Sequence, residues 1–170
     1  VHATYGDTNG DWGYLFETVQ RSAQGFKDID RSNRNSGFDI SDYVGKLRWQ
    51  GDRQSVTAKL QYSEETSNST YVGLTDADFN QDPNRRYGLS SPDQMDNTHS
   101  GVSLTHQFEW SDNVSSTTTL YRNDFKRNWY KLSGAGNIIG QANAGDANAQ
   151  GILDGTIDAS GLEYKNNARD

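Results

Sequence analysis

The sequence predicts an all-β fold: an antiparallel transmembrane β-barrel segment of about five to six strands, with short periplasmic turns and long extracellular loops. Three observations predict it. Hydrophobicity alternates with a period of two, connections alternate between short and long, and tryptophans gather beside the short connections. Each can be followed along the chain.

Composition comes first because it removes the ordinary alternative. Of 170 residues only 32% are hydrophobic, and mean hydropathy is -0.95, which leaves a conventional closed core poorly supplied. Yet 11% of residues are aromatic, including nine Tyr and four Trp, and disordered chains are poor in such rings. There is no cysteine, so disulfides, thiolate metal sites and a cysteine nucleophile are absent. A net charge of -7 argues against a nucleic-acid partner, since phosphate binding needs a basic footprint. No apolar run reaches membrane-helix length and no signal-peptide pattern opens the chain. A barrel remains compatible, because its alternating strands leave little trace in hydropathy.

The strands follow in order. Val1–Tyr5 reads as the tail of one. Gly13–Ser22 is rich in Tyr14, Leu15, Phe16 and Val19, with no clear choice of face. In Asp42–Trp49, Tyr43, Leu47 and Trp49 oppose Asp42, Lys46 and Arg48. In Ser55–Glu65, Val56, Ala58, Leu60 and Tyr62 oppose Thr57, Lys59, Gln61 and Ser63. In Ser100–Trp110, Val102, Leu104, Phe108 and Trp110 oppose Ser103, Thr105 and Gln107; His106 interrupts the apolar face and suggests a bulge or register change there. Val114–Tyr130 opens on a Ser/Thr run of reasonable strand propensity, and the segment after Leu162 begins another strand. Spans of this kind have the ~9–11 residues that cross a bilayer at a tilt.

The connections run Asp7–Asp11, Arg21–Phe38, Gln50–Gln54, Thr66–Asn97, Ser111–Asn113 and Leu132–Gly161, short and long in turn. Outer-membrane barrels alternate in this way, whereas long structureless loops count against an ordinary compact domain. Trp12 follows the first short turn, Trp49 precedes the second and Trp110 precedes the third. Amphipathic rings favour the headgroup level, so these three form the membrane-interface aromatics of one rim.

Thr70–Tyr87 contains GLT-x-x-DF…P-x-x-RY, Thr119–Leu132 contains R-N-D-F-x-R-N-W, and the chain ends EYKNNARD. These segments resemble TonB-dependent outer-membrane receptors, most closely the ferric-dicitrate branch. The resemblance covers most of the chain. It implies a barrel of about 22 strands around a plug, of which this chain is a partial wall without the plug. It further implies a ferric chelate as ligand, a TonB complex reached through the plug, outer-membrane lipid and lipopolysaccharide as surroundings, and a bacterial outer-membrane location. Iron enters only as the transported chelate, with no resident cofactor.

An anionic chelate needs arginines, polar donors and aromatic walls above the membrane. Arg85 and Arg86 beside Tyr87 have that chemistry, as do Arg122, Lys126, Arg127, Trp129, Tyr130 and Lys131 at a strand top. Their competing role is to pair with lipopolysaccharide phosphates or with loop acids such as Asp76, Asp78 and Asp82. Lys46, Arg48 and Lys59 fall on faces expected to point inward, towards a plug. Asp7–Asp11 reads as a hairpin turn rather than a calcium loop, and Gly134–Gly161 as a low-complexity mobile loop. Asn68–Thr70 and Asn113–Ser115 match a glycosylation pattern that means little in a bacterial protein. His2, His99 and His106 lack metal-ligand spacing, and nothing assembles a nucleophile, base and oxyanion site, so no enzyme is expected. Two other readings share parts of the pattern: a general porin-type channel, and a secreted β-sheet binding module. The loop motifs favour the receptor over the porin, and the tryptophan placement favours either barrel over the secreted module.

Overall fold

The computed structural model describes residues 1–169, so Asp170, the last residue of the EYKNNARD segment, lies outside the described residues. The strands are β1 (His2–Asn9), β2 (Trp12–Ala23), β3 (Asp28–Ile29), β4 (Phe38–Gln50), β5 (Gln54–Ser67), β6 (Arg85–Arg86), β7 (Gln94–Ser111), β8 (Val114–Ser133) and β9 (Glu163–Arg169). Three α-helices, α1 (Asp76–Gln81), α2 (Ala135–Asn143) and α3 (Ala147–Asp154), and a short 3-10 turn (Gly88–Ser90) lie in the long connections of the described residues. Seven strands, against the five to six expected, form one antiparallel meander in the order β1-β2-β4-β5-β7-β8-β9, because the partial segments at both ends of the described chain, β1 and β9, pair as full members of the sheet. β1 and β9 are its edges. No described helix is long and apolar enough to cross a membrane.

All short turns lie at one end of the sheet and all long connections at the other, as the alternation in the sequence requires. The first turn is tighter than expected. Asn9 pairs with Trp12, leaving only Gly10 and Asp11, and Gly10 takes φ 58°, which a two-residue II′ hairpin demands at its first position. The strands also outrun the expected lengths, β7 reaching 18 residues and β8 reaching 20.

Register assigns the faces, because directly opposed residues share one. Leu47, Ala58, Leu104 and Leu120 stand in one row; Gly45, Leu60 and Val102 stand in the next. Tyr14 and Phe16 join them from β2, which resolves the strand whose face the sequence left open; Leu15 and Val19 are the apolar exceptions on the other side. The opposite face carries Lys46 against Lys59 and Arg48 against Thr57. The facing expected for Leu47, Val56, Leu60, Val102 and Leu104 against Lys46, Arg48, Thr57 and Lys59 therefore holds as alternation.

The apolar face is bounded by rings. Trp12 stands opposite Trp49 near the turn end, and Tyr43 stands opposite Tyr62 six residues up the strand, a separation of ~20 Å. Trp110 packs on Phe108 with ring centroids 4.7 Å apart and donates to Ser116 Oγ at 2.9 Å.

Two expectations are corrected. His106 causes no bulge: it pairs in register with Val56 and Thr118 and hydrogen-bonds Gln54, and the irregularity falls instead between Glu109 and Ser111, around Trp110. Gly134–Gly161 is not structureless, since it folds into α2 and α3. Asp146 caps α3 by accepting from the backbone N–H groups of Asn148 and Ala149, and Gly155 closes it at φ 69°.

The buried apolar residues are Ile29, Val72, Tyr87, Leu132, Ala135, Ala149 and Leu153. All belong to the loop end. Neither face of the sheet's middle holds a core, and Leu60 is 62% exposed and Leu120 67% exposed.

Candidate functional site

The three long connections pack into one cap over the end of the sheet. Its core joins Val72 and Tyr87 of the second connection, Leu132 of β8, and Ala135 and Leu153 of the third, with Leu74, Leu89, Ile138, Ile139 and Tyr164 around them. The first connection is tied in by backbone pairing, since β3 runs parallel to β6. Arg34, also of the first connection, donates to Asn68 Oδ1 and Gln94 Oε1 at 2.6 and 3.0 Å, on either side of the second.

At the centre sits Arg85. Its guanidinium contacts Asp30 Oδ2 at 2.9 Å, Asp78 Oδ1 at 2.7 Å and Asp154 Oδ1 at 2.7 Å, one carboxylate from each long connection. Hydrogen bonding to Asp30, outweighing the opposing effect of burial, drives its affinity for the proton further up. Burial works against ionisation of Asp78, but bonds from Tyr87, Gln150 and Thr75 and the Arg85 charge prevail, holding its carboxyl below the usual range. Tyr87 Oη donates to Asp78 Oδ2 at 2.6 Å and accepts from the Thr75 backbone N–H at 3.0 Å. Thr75 is also the N-cap of α1. Thr75, Asp78 and Tyr87 of the GLT-x-x-DF…P-x-x-RY stretch thus act as a folding motif, bonding one another, and Arg85, at a variable position just before the pattern's Arg86, joins them to the other loops.

A second bridge is Asp93, which accepts from the backbone N–H of Tyr71 at 2.8 Å and of Leu132 at 3.0 Å, fastening the second connection to β8. Burial pushes its carboxyl above the ordinary range despite those bonds.

On the polar face below the cap, Trp129 meets Tyr71 edge to face at 5.3 Å, and Lys131 Nζ lies 3.2 Å from the Tyr71 ring centroid and 4.4 Å from that of Trp129. Arg127 stands opposite Asn97 and donates through Nη2 to Asn167 Oδ1 at 3.2 Å. Arg127 Nε, Trp129 Nε1, Asn97 Oδ1 and Thr70 Oγ1 are buried without a partner in the protein. Buried polar atoms are ordinarily paired, so oriented donors and acceptors concentrate here.

The sequence-derived candidates therefore separate. Arg127 and Trp129 come together on the polar face. Tyr130 lies on the other face, stacked on Tyr164 at 5.5 Å. Arg122 is on the apolar face, paired with Asp124 at 2.9 Å and exposed. Arg86 bonds the carbonyl of Pro83 at 3.0 Å. Arg85 is committed to three carboxylates. Asp30, Asp93, Asp154 and Tyr71 are absent from the sequence-derived candidates; the capping residues Asp146 and Gly155 are the one signal that could have placed Asp154 at the end of a helix. Among the described residues no group of three or more metal-ligating side chains is placed to hold an ion.

No protein-family model, curated protein or solved structure matches the chain.

Proposed function

We propose that the chain is part of the wall of a transmembrane β-barrel in a bacterial outer membrane, within a receptor that imports a ferric chelate, ferric dicitrate or another siderophore, with energy from TonB. The observation that carries the barrel reading is the exposed apolar face, bounded by Trp12 and Trp49 at one end and Tyr43 and Tyr62 at the other. Each large side chain left half in water forgoes on the order of 1 kcal/mol of burial. A patch of this size on a sheet without a core calls for an apolar surrounding, and lipid supplies one across the whole band. The turn end is then periplasmic and the cap extracellular.

The receptor reading rests on the motif resemblance together with the cap. A folded cap above a polar inner face suits capture of a specific solute better than open diffusion. Arg127 and Trp129 supply donors for a carboxylate-bearing chelate, with Tyr71 and Lys131 beside them. The TonB contact belongs to the plug that the resemblance implies.

The test is uptake of radiolabelled ferric dicitrate by cells expressing the full-length protein, with and without TonB. Saturable uptake that disappears without TonB is expected. Non-saturable flux indifferent to TonB would indicate a porin, and release of the protein from membranes by urea would indicate a secreted module.

A further inference from the structure

On the apolar face one row of the sheet has a gap in it. Phe16, Gly45, Leu60, Val102 and Arg122 stand side by side across five strands, and Gly45 contributes no side chain. A Cβ added there would meet nothing within 4 Å. Tyr43 and Tyr62 close the gap on the cap side, and a groove of about 500 Å³ opens between these residues. That volume is within the ~300–1,000 Å³ of small-molecule sites, which are likewise apolar with a few placed polar groups.

Arg122 and Asp124 are the charged groups at the edge of the groove. Arg122 donates through Nε and Nη2 to the two Asp124 oxygens at 2.9 Å each, and its Nη1 has no partner among the described residues. Both side chains face out, 77% and 51% exposed. A charge at a lipid-facing strand position is unfavourable to a degree set by its depth, and Arg122 stands one row, about 7 Å, on the turn side of the tyrosines. The charges on this face follow an order along the strands. Arg122 is deepest; Asp124 shares the row of Tyr43, Tyr62 and Ser100; Glu64 and Lys126 share the next; Asp39 and Asp96 share the one beyond. Acids therefore predominate outward of Arg122, with Lys126 the base among them. Tyr62 Oη donates to Glu64 Oε2 at 3.1 Å, which fixes that carboxylate above the groove.

We propose that the groove holds one phosphatidylethanolamine molecule, with an acyl chain over Gly45, the phosphate on Arg122 and the ammonium against Asp124 and Glu64. This rests on the reading of the apolar face as the lipid-facing one, with the cap outermost. The order of the charges selects the lipid. In this headgroup the phosphate lies next to the hydrocarbon and the amine lies beyond it, so a cation followed by acids matches it from the membrane outward. An anionic lipid without that amine, such as phosphatidylglycerol or lipid A, would satisfy Arg122 and leave the acids unmatched. Bonds to charged partners are stronger than neutral ones, and the low dielectric beside hydrocarbon strengthens them further.

The experiment is native mass spectrometry of the delipidated full-length protein in detergent, titrated separately with phosphatidylethanolamine, phosphatidylglycerol and lipid A. Retention of one phosphatidylethanolamine in preference to either anionic lipid is expected. Arg122→Ala should weaken that retention roughly tenfold, and Asp124→Asn should erase the preference over phosphatidylglycerol. Gly45→Leu, which fills open space and touches no charge, should block the site, and it tests the proposal even if Arg122→Ala fails to fold. Equal retention of the three lipids, or a preference for an anionic one, would overturn the proposal. So would phosphatidylethanolamine retention unchanged in Gly45→Leu. Leu60→Cys separates the two levels. If a membrane-impermeant thiol reagent labels it freely in cells, the membrane reading itself has failed; if it is shielded, the absence of a lipid preference removes only the proposed site.

Discussion

Arg85 and Asp154 meet at 2.7 Å across 69 positions of sequence, and with Asp30 and Asp78 they make one guanidinium the junction of three loops. The cap therefore behaves as a single unit. Arg85→Ala should loosen all three connections together. With the Arg85 side chain about a quarter exposed, the cost should fall at or below the low end of the roughly 3–5 kcal/mol seen when a fully buried pair is broken. Hydrogen exchange by peptide would show it as faster exchange in segments 24–37, 68–93 and 134–162 with β4 and β5 unchanged. Faster exchange confined to the 68–93 segment would mean that the loops are independent.

Acid should open the same cap. The Asp78 carboxyl is held below its usual range, so its contribution is fully present above the unfolded value of about 3.9 and is lost as pH falls through the folded value. Asp93 has the opposite sign: its carboxyl is raised, so protonation relieves a cost and partly offsets the loss. Limited proteolysis across pH should find the wild-type cap loosening below about pH 4. Asp78→Asn should be weaker at neutral pH and flatter through the acid range. Equal acid sensitivity in both proteins would exclude Asp78 as the source.

Gly155 should tolerate no side chain without strain. Its φ of 69° costs an L-residue roughly 1–2 kcal/mol. An added Cβ would also displace the Arg31 guanidinium that donates to its carbonyl at 2.8 Å. Because Arg31 is a flexible side chain, the backbone term should dominate. Gly155→Ala should lower cap stability by about that amount in thermal melts, and Gly155→Asn by less, since Asn visits this region more readily. Equal stability of all three proteins would contradict the account.

Ligand affinity should discriminate between the arginines. Loss of a hydrogen bond to a charged group costs about 1.5–3 kcal/mol, so on the proposed receptor reading Arg127→Ala should weaken ferric dicitrate binding roughly tenfold to hundredfold. Arg122→Ala should leave it unchanged, because Arg122 is paired with Asp124 on the apolar face. A titration showing the reverse order would move the ligand site away from Arg127 and Trp129.

The sheet was legible in the sequence wherever one face is consistently polar. From Ser55 to Ser63 the alternation has no exception, and the pairing of this strand with β4 and β7 follows that pattern. β2 was ambiguous for a physical reason: Leu15 and Val19 sit on the polar face among Gly13 and Glu17, so composition alone could not choose. α2 and α3 were obscured by Gly, Ala and Asn, which mimic a low-complexity loop. The Arg85 junction was illegible because its partners Asp30 and Asp154 lie 55 and 69 residues away, and only the folded loops bring them together.

The face bearing Leu47, Leu60 and Leu104 should meet lipid. Cysteine substitution of each residue from Ser55 to Glu65 in the full-length protein, with labelling of intact membranes by a water-soluble maleimide, tests it most directly. Alternation is predicted, with positions 56, 58, 60 and 62 protected from the water-soluble reagent and accessible to a lipid-soluble one, and no such lipid-soluble labelling at 57, 59, 61 and 63. Uniform labelling by the water-soluble reagent at 56, 58, 60 and 62 would contradict it.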